Sequence, residues 1–206
     1  MAGHAPAFAL FDTPIGRCAI VWRGSAVIGV CLPEASDSEL RQRIGRRFPT
    51  GSEGEPPATI AAAIDAIQGL LSGGRADLGF IEVDLSRAAP FERQVYEAAA
   101  AIPHGQVRTY GQIASATGAP GAARAVGRAL GRNPVPIIVP CHRIVAAEGK
   151  SGGFSAPGGL ATKFRILEIE GARRHGEPEL FEQLPWAAKP AANRREAPTG
   201  PSTPVR

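Results

Sequence analysis

The sequence has few of the features that hold secreted or membrane proteins together. It contains three cysteines, at positions 18, 31 and 141, an odd number without the spacing of a disulfide framework or a zinc site. No apolar run approaches a membrane span and no signal peptide is recognisable, so we expect a cytoplasmic protein without membrane contact. The cytoplasm is reducing, so free thiols are expected, and we expect neither a metal nor another cofactor.

Aromatic residues are also scarce, at 6% of the chain, whereas alanine and glycine are abundant. Closely packed helices are therefore expected rather than a large aromatic core. With 206 residues, the chain is long enough for one large domain or two small ones.

Acidic residues are missing from one long stretch of the chain. From Arg108 to Arg143, with both included, there are five arginines and no Asp or Glu. Residues 86–172 carry ten basic and five acidic side chains, a net of +5, whereas residues 1–85 have a net of −3. A patch of one sign favours a polyanionic partner, with nucleic acid as the first candidate, although an ordinary solvated face is the simpler alternative.

Residues 1–85 are predicted to form an α/β domain in which no chemistry is recognisable. Three apolar stretches within residues 8–32, separated by turn sequences, predict an antiparallel meander with Cys18 and Cys31 in its core. The elements expected after it are helices over residues 36–47 and 58–72, a loop over 49–57 and a strand over 80–85.

Residues 86–172 are predicted to be largely helical. A helix over residues 90–102 opens with proline, and Thr109 with Gln112 three residues later predicts a capping box. That capping box would start a short helix over residues 110–117.

The next predicted helix, over residues 122–132, is basic. Its arginines recur every four residues opposite an apolar face, and the small residues Ala123 and Gly127 flank them; the arginines are Arg124, Arg128 and Arg132. A helix, a tight turn and a basic helix are typical of a helix-turn-helix DNA binder, although many ordinary helix pairs share this pattern.

A stiff apolar segment follows and ends in Cys141, His142 and Arg143. Its prolines and β-branched residues, over 133–140, predict a short buried strand that holds the cysteine in place. A free cysteine is most often an inert buried residue. A nucleophilic thiol needs an adjacent base and positive potential, and both follow directly here. The segment therefore predicts a reactive cysteine.

A reactive thiol beside a DNA-binding helix limits the chemistry. A cysteine hydrolase forms an ester that water cleaves, and it has no use for a basic recognition helix. A thiolate that takes an alkyl group from DNA forms a thioether, which water does not cleave. Such a protein would act once.

The stretch R-A-V-G-R-A-L-G-R-N-P-V-P-I-I-V-P-C-H-R-I-V resembles the active-site signature of the O6-alkylguanine-DNA alkyltransferases, also called methylated-DNA–protein-cysteine methyltransferases. The resemblance extends over about residues 80–172 through P-F-E-R-Q-V-Y-E, I-P-H-G-Q-V-R-T-Y-G-Q-I-A and G-G-L-A-T-K, and only loosely over residues 8–80. It implies a small ribonuclease-H-like sheet-and-helix domain over 1–85 and a winged helix-turn-helix domain over 86–172. Residues 173–206, with six prolines, are expected to be a disordered tail.

The resemblance also implies roles for single residues. Cys141 would accept the alkyl group, and His142, oriented by Glu170, would form the thiolate through a water molecule. Tyr110 would protonate the departing guanine and crowd the phosphate so that the nucleotide rotates out. Arg124 would take the place of the extruded base.

The remaining implied roles concern DNA contact. Double-stranded DNA containing O6-alkylguanine would be the partner of a monomer. The expected DNA-contacting residues are Ala123, Ala125, Gly127, Arg128 and Arg143. The residues expected to line the guanine pocket or support it are Asn133, Val139, Phe154 and Ser155.

Two departures from the family pattern concern the glycine-rich loop. Phe154 replaces a tyrosine of many relatives, and residues 155–159 are longer by two than the usual form. Both would affect the width of the pocket.

Three other classes of protein remain open. A non-catalytic alkyltransferase-like sensor would bind damaged bases, but such relatives replace the acceptor cysteine, commonly with tryptophan. A helix-turn-helix regulator would leave Cys141 merely buried, and a cysteine hydrolase would leave the arginines without a role.

Overall fold

The computed structural model describes residues 5–147 and 153–172, and the predicted disordered tail lies outside them. The prediction of a mixed α/β fold is confirmed. The strands are β1 (Ala7–Thr13), β2 (Gly16–Arg23), β3 (Ala26–Cys31), β4 (Ser52–Glu53), β5 (Arg108–Thr109) and β6 (Ile144–Val145). The α-helices are α1 (Asp37–Arg47), α2 (Ala58–Leu71), α3 (Pro90–Ala100), α4 (Tyr110–Ala116), α5 (Ala123–Gly131) and α6 (Gly159–Ile169).

The first three strands form the predicted antiparallel meander. The sheet order is β3-β2-β1-β4, and β4 pairs with β1 in parallel. The turn between β1 and β2 is closed by the Thr13 hydroxyl, which donates to the Gly16 carbonyl at 2.6 Å. The predicted loop over residues 49–57 thus contains the two-residue strand β4.

Helices cover both faces of this sheet. Successive side chains of a strand point to opposite faces, and in β2 and β3 both sets are apolar and buried. One face packs on α1 through a cluster that consists of Phe8, Ala19, Val21, Ile28, Cys31, Leu40, Ile44 and Phe48. The other face packs on α2, whose buried residues include Ile60, Ile64, Ile67 and Leu71. Cys18 and Cys31 lie in the core, as predicted.

The prediction of a strand over residues 80–85 is wrong, because only one residue of this segment forms a bridge to the sheet. Within the described chain, Val83 forms an isolated parallel bridge with Val27, and Asp84 N–H donates to the Val27 carbonyl at 3.0 Å. The Asp84 carboxylate then accepts the N–H of Ser86 at 2.9 Å. This local turn ends the pairing after one residue because it directs the chain away from the sheet.

One hydrophobic core joins the sheet to the helices of the second half. It includes Trp22 and Val30 of the sheet, Val95 of α3 and Val126 of α5. The Val30 N–H also donates to the Pro134 carbonyl at 2.9 Å. The predicted domain boundary at residues 85 and 86 therefore crosses a continuous core, and the division itself stays a prediction.

The second half begins with helices that start as predicted. Pro90 opens α3, and the Glu92 carboxylate accepts the Ala89 N–H at 3.0 Å. Thr109 caps α4: its hydroxyl accepts the Gln112 N–H at 3.1 Å, and the Gln112 side chain accepts the Thr109 N–H at 2.7 Å. This capping box fixes the first residue of α4, which is Tyr110.

A buried tyrosine ties α3 to α5. The Tyr96 hydroxyl donates to the Ala129 carbonyl at 3.0 Å. We expect Tyr96→Phe to lower the free energy of unfolding by about 1 kcal/mol, the net contribution of one such hydrogen bond. Urea unfolding measures this change, and Gln94→Ala on the exposed side of α3 is the control. Equal stability of Tyr96→Phe and the wild type would contradict the assigned contact.

Candidate active site

The segment before Cys141 is a tight turn and not the predicted strand. Asn133 bridges this turn: its amide oxygen accepts the Val135 N–H at 3.0 Å, and its amide nitrogen donates to the Val139 carbonyl at 2.8 Å. The Val139 N–H donates to the Val135 carbonyl at 2.9 Å, and Ile137 has a φ of 75°. A β-branched residue at positive φ is unfavourable, so the surrounding bonds must hold it there.

Cys141 follows this turn, in a short 3-10 helix (Cys141–Arg143). Its side chain is buried, with 8% of the residue exposed. Burial raises the pKa of the Cys141 thiol, while the Asn133 amide and the Lys163 ammonium act in the opposite direction. A thiol in this position needs a base to ionise it.

His142 and Arg143 both reach Glu170, at the end of α6. His142 Nε2 lies 3.0 Å from Glu170 Oε1, and both side chains are buried. Arg143 donates Nε to Glu170 Oε2 at 2.9 Å and Nη2 to Oε1 at 2.8 Å. One buried carboxylate therefore holds the two residues that follow the cysteine.

The protonation states follow from these contacts. Burial alone would raise the pKa of Glu170, but hydrogen bonds from His142 and Arg143 outweigh it and lower that pKa to about 2. Burial lowers the pKa of His142, so its imidazole is neutral at pH 7. A proton on Nε2 satisfies Glu170 and leaves Nδ1 as an acceptor; Nδ1 is buried and has no protein partner among the described residues.

The prediction that Arg143 contacts DNA needs correction. Arg143 is buried, with 7% exposed, and its third hydrogen bond goes to the Ile102 carbonyl at 2.7 Å. Its donors are thus used inside the protein, where they fix Glu170. This position argues against a DNA contact, and we assign Arg143 a positioning role.

Tyr110 is held next to the cysteine by a very short sheet. β5 ends immediately before Tyr110, β6 begins immediately after Arg143, and the two strands pair in parallel. The Tyr110 hydroxyl donates to the Gly153 carbonyl at 3.1 Å. Burial and the Cys141 charge raise the pKa of Tyr110, so the phenol keeps its proton at pH 7.

No role for Lys163 was predicted from the sequence, and its side chain is fully buried. Its ammonium donates to the Ile144 carbonyl and lies 5.7 Å from the centre of the Tyr110 ring. Burial lowers the pKa of Lys163 to about 8, although the Cys141 charge opposes this shift. The sequence does contain a signal for its burial, because Lys163 is spaced to lie on the same apolar face of α6 as Phe164 and Leu167.

The basic helix α5 presents its arginines outward. Arg124, Arg128 and Arg132 are exposed, while Val126, Ala129 and Leu130 are buried on the other side. The three small residues of the predicted DNA-contacting set, Ala123, Ala125 and Gly127, are half-buried. A Cβ at Gly127 would lie 3.8 Å from the Tyr110 ring, so this face of α5 adjoins the active site.

A cavity of about 360 Å³ opens beside Cys141. Asn133 lines one side, and the glycine-rich loop supplies Phe154, Ser155 and Pro157. The Ser155 hydroxyl donates to the Gly131 carbonyl at 3.3 Å, which ties that loop to the end of α5. Val139 is predicted to read the guanine edge, but its carbonyl accepts from Asn133.

In the ranges 5–147 and 153–172, no three His, Cys, Asp or Glu side chains come together as a metal site would require. No helix in the same ranges is long and apolar enough to cross a membrane.

The fold and the site together define a mixed α/β protein in which a basic helix adjoins a buried cysteine, histidine and carboxylate. Comparison with known proteins makes this class specific. Residues 90–172 match the family model described as the DNA-binding domain of 6-O-methylguanine DNA methyltransferase. The chain is 44% identical over 169 residues to the methylated-DNA–protein-cysteine methyltransferase of Mycolicibacterium paratuberculosis, covering 82% of this chain and 93% of the relative.

Solved structures agree with this match. The chain aligns with the crystal structure of Mycobacterium tuberculosis O6-methylguanine methyltransferase at a TM-score of 0.65 and 34% identity, covering 84% of this chain and 96% of the other. The structure of Mycobacterium tuberculosis OGT in complex with DNA aligns at 0.64 and 35%, covering 85% and 99%. The protein belongs to the methylated-DNA–protein-cysteine methyltransferase family.

The lowered pKa of Glu170 predicts a specific acid sensitivity. Because the folded pKa of about 2 lies below the ordinary 4.5, the resulting stability is complete above pH 4.5 and is lost as the pH falls towards 2. We expect the free energy of unfolding of Glu170→Gln, measured with urea, to fall less than that of the wild type between about pH 5 and pH 3, where the Glu170 carboxylate of the unfolded wild type takes up its proton. The exposed Glu168→Gln should leave the loss unchanged. A Glu170→Gln profile as steep as that of the wild type would contradict this assignment.

Proposed function

We propose that the protein repairs DNA by moving the alkyl group of O6-alkylguanine irreversibly to Cys141, once per molecule. One observation carries this proposal: Cys141 is followed by a neutral histidine that contacts the buried Glu170 carboxylate, and this group lies beside a basic helix. A thioether forms, and water does not cleave it, so each molecule would be consumed.

The thiolate would form through His142. Its free Nδ1 acceptor faces away from Glu170, and we propose that a water molecule relays the Cys141 proton to it. The resulting imidazolium is stabilised by Glu170, which stays ionised at pH 7. Lys163 adds positive potential that favours the thiolate. The triad logic of an activated nucleophile thus applies to a thiol that burial alone would keep neutral.

The alkylated base would have to leave the duplex, since a stacked guanine cannot place its O6 group against a buried thiol. We propose that α5 binds DNA, that Arg128 grips phosphate and that exposed Arg124 fills the gap left by the extruded base. The small residues Ala123, Ala125 and Gly127 allow the backbone of α5 to approach closely.

The extruded guanine would occupy the cavity beside Cys141. Phe154 supplies an apolar wall, and backbone groups near Val139 and Ser155 are proposed to read the guanine edge. Asn133 keeps the end of α5 and the turn before Cys141 in register. Tyr110, whose phenol stays protonated, would give a proton to the guanine as it departs.

The finer architecture is also a proposal. The sheet order β3-β2-β1-β4, with β4 parallel to β1, is compatible with a ribonuclease-H-like N-terminal domain over residues 1–85. The pair α4 and α5 would be the helix-turn-helix of a winged domain over residues 86–172. We propose that a monomer acts, because one chain supplies every residue named in the reaction.

A non-catalytic alkyltransferase-like protein is the second candidate, because it would share the helix and the base pocket. The cysteine at position 141, with its histidine and carboxylate, favours transfer over binding alone.

Cys141→Ala should abolish alkyl transfer while duplex binding survives, because the sulfur is the acceptor and the basic helix is unchanged. Mass spectrometry after incubation with O6-methylguanine DNA should find one added methyl group on the wild-type peptide that contains Cys141. Cys18→Ala is the control and should keep transfer, since burial raises the pKa of Cys18 to about 12. Methylation of the Cys141→Ala variant, or repeated turnover without a mass gain, would contradict the proposal.

Arg124→Ala should weaken repair of duplex DNA far more than repair of free O6-methylguanine. The loss on duplex is expected to be on the order of ten- to hundredfold, because extrusion costs a few kcal/mol that Arg124 would offset. Single-turnover rates on the two substrates give the ratio. Arg17→Ala removes the same charge from the N-terminal sheet and should slow neither substrate. Equal losses on duplex and free base would count against base replacement by Arg124.

A further inference from the structure

We infer that the active-site cavity contains a second subsite, built around Arg47 of α1, for a carboxylate carried by the alkyl group of the damaged guanine. The inference rests on the proposed alkyl transfer and names a class of adduct for it. The subsite would lie in the N-terminal half, to which the reaction described so far assigns no role.

The cavity beside Cys141 is shared between the two halves of the chain. Besides Asn133 and the glycine-rich loop, its lining includes Val30 and Leu32 around β3 and Arg43 and Arg47 of α1. Apolar side chains of the sheet, Cys141 and guanidinium groups from α1 thus border one space. Its volume of about 360 Å³ has to hold the guanine and whatever the reacting carbon carries.

The longer glycine-rich loop contributes to this space. Ala156 and Pro157, which belong to the segment that is two residues longer than in the family pattern, line the cavity together with Phe154. Phe154 offers no hydroxyl group there. The cavity therefore has room and apolar walls on the loop side, and its cationic groups lie elsewhere.

Three arginines border the cavity, and two of them already have carboxylate partners. Arg43 Nη1 lies 2.8 Å from Glu34 Oε1, and Arg132 Nη1 lies 3.0 Å from Glu92 Oε1. No ion pair joins Arg47 to a carboxylate among residues 5–147 and 153–172; its guanidinium lies 5.3 Å from the centre of the Phe48 ring, and its side chain hydrogen-bonds to Cys31.

The surroundings of Arg47 favour an anion. Arg47 is exposed as a residue, but partial burial of its guanidinium lowers its pKa; Cys31 opposes this shift, and nearby Arg43 adds to it. A guanidinium without a counter-charge in partly apolar surroundings gains more from a bound carboxylate than one in open solvent. Phosphate is the other source of anionic oxygen, but the exposed Arg124 and Arg128 are the ones that lie on α5, the helix proposed to bind DNA.

The reaction would follow the methyl case. The Cys141 thiolate attacks the methylene carbon of an O6-carboxymethyl group, the S–C bond forms and the C–O6 bond breaks. The electron pair of the broken bond stays with guanine, which takes up one proton, and the protein retains an S-carboxymethyl thioether. The carboxylate does not react and would be held by Arg47 throughout.

The experiment compares three adducts in one duplex with the full-length protein: O6-methyl, O6-carboxymethyl and the uncharged, equally large O6-carbamoylmethyl. Single-turnover rates are measured by the mass gained on the Cys141 peptide. We expect wild type to prefer carboxymethyl over carbamoylmethyl, and Arg47→Gln to reduce this preference roughly tenfold, the loss expected for one charge-assisted hydrogen bond. Arg47→Lys should retain part of it. Arg46→Gln, an adjacent exposed arginine outside the cavity lining, is the matched control and should keep the full preference.

Each other result overturns the subsite. If Arg47→Gln slows all three adducts equally, Arg47 serves DNA phosphate or folding; if the wild type shows no preference for the charged adduct, Arg47 does not read it. If the wild type transfers methyl but neither larger group, the subsite is refuted and the proposed function stands. If no adduct reaches Cys141, the proposed function itself fails.

Discussion

The active site depends on one buried carboxylate. Glu170 accepts from His142 and twice from Arg143, so the two residues after the cysteine converge on the same group. Removing Arg143 or Glu170 alone would leave a charge without compensation in the core, which is far more costly than losing a surface ion pair. The 3-10 turn that presents Cys141 is therefore fixed by a contact 28 positions away in sequence, between His142 and Glu170.

Two small devices bring the remaining groups to this turn. The two-residue ladder of β5 and β6 places Tyr110 beside the cysteine, and Asn133 closes the turn that ends at Val139. Each device links a helix end to the segment that carries Cys141: α4 through the ladder and α5 through Asn133. The basic helix and the cysteine are thus connected through short contacts, as the proposed extrusion of a base into a fixed pocket would require.

The sequence could predict what depends on neighbours along the chain. The capping box at Thr109, the helix at Pro90 and the arginine-bearing face of α5 follow from local spacing, and the structure confirms them. It could not predict Ile137 at positive φ, because a β-branched run normally indicates a strand. The sequence also could not predict that Arg143 is buried, because its carboxylate partner, Glu170, follows α6 and lies beyond the reach of local patterns.

Lys163 and Arg47 show a second limit of sequence reasoning. A lysine on an apolar helix face indicates burial. Only the fold reveals that its ammonium lies 5.7 Å from the centre of the Tyr110 ring and that the Cys141 charge raises its pKa against the effect of burial. Arg47 has no local signal, since α1 borders the cavity only in the folded chain, in which the Val30 N–H of β3 donates to the Pro134 carbonyl. Because one core runs through both halves, the N-terminal sheet can influence the shape and charge of a site whose chemistry is encoded entirely in the second half. If Arg47 holds a charged adduct as proposed, selectivity among adducts would depend on the first half of the chain, while Cys141, His142 and Glu170 would carry the transfer itself.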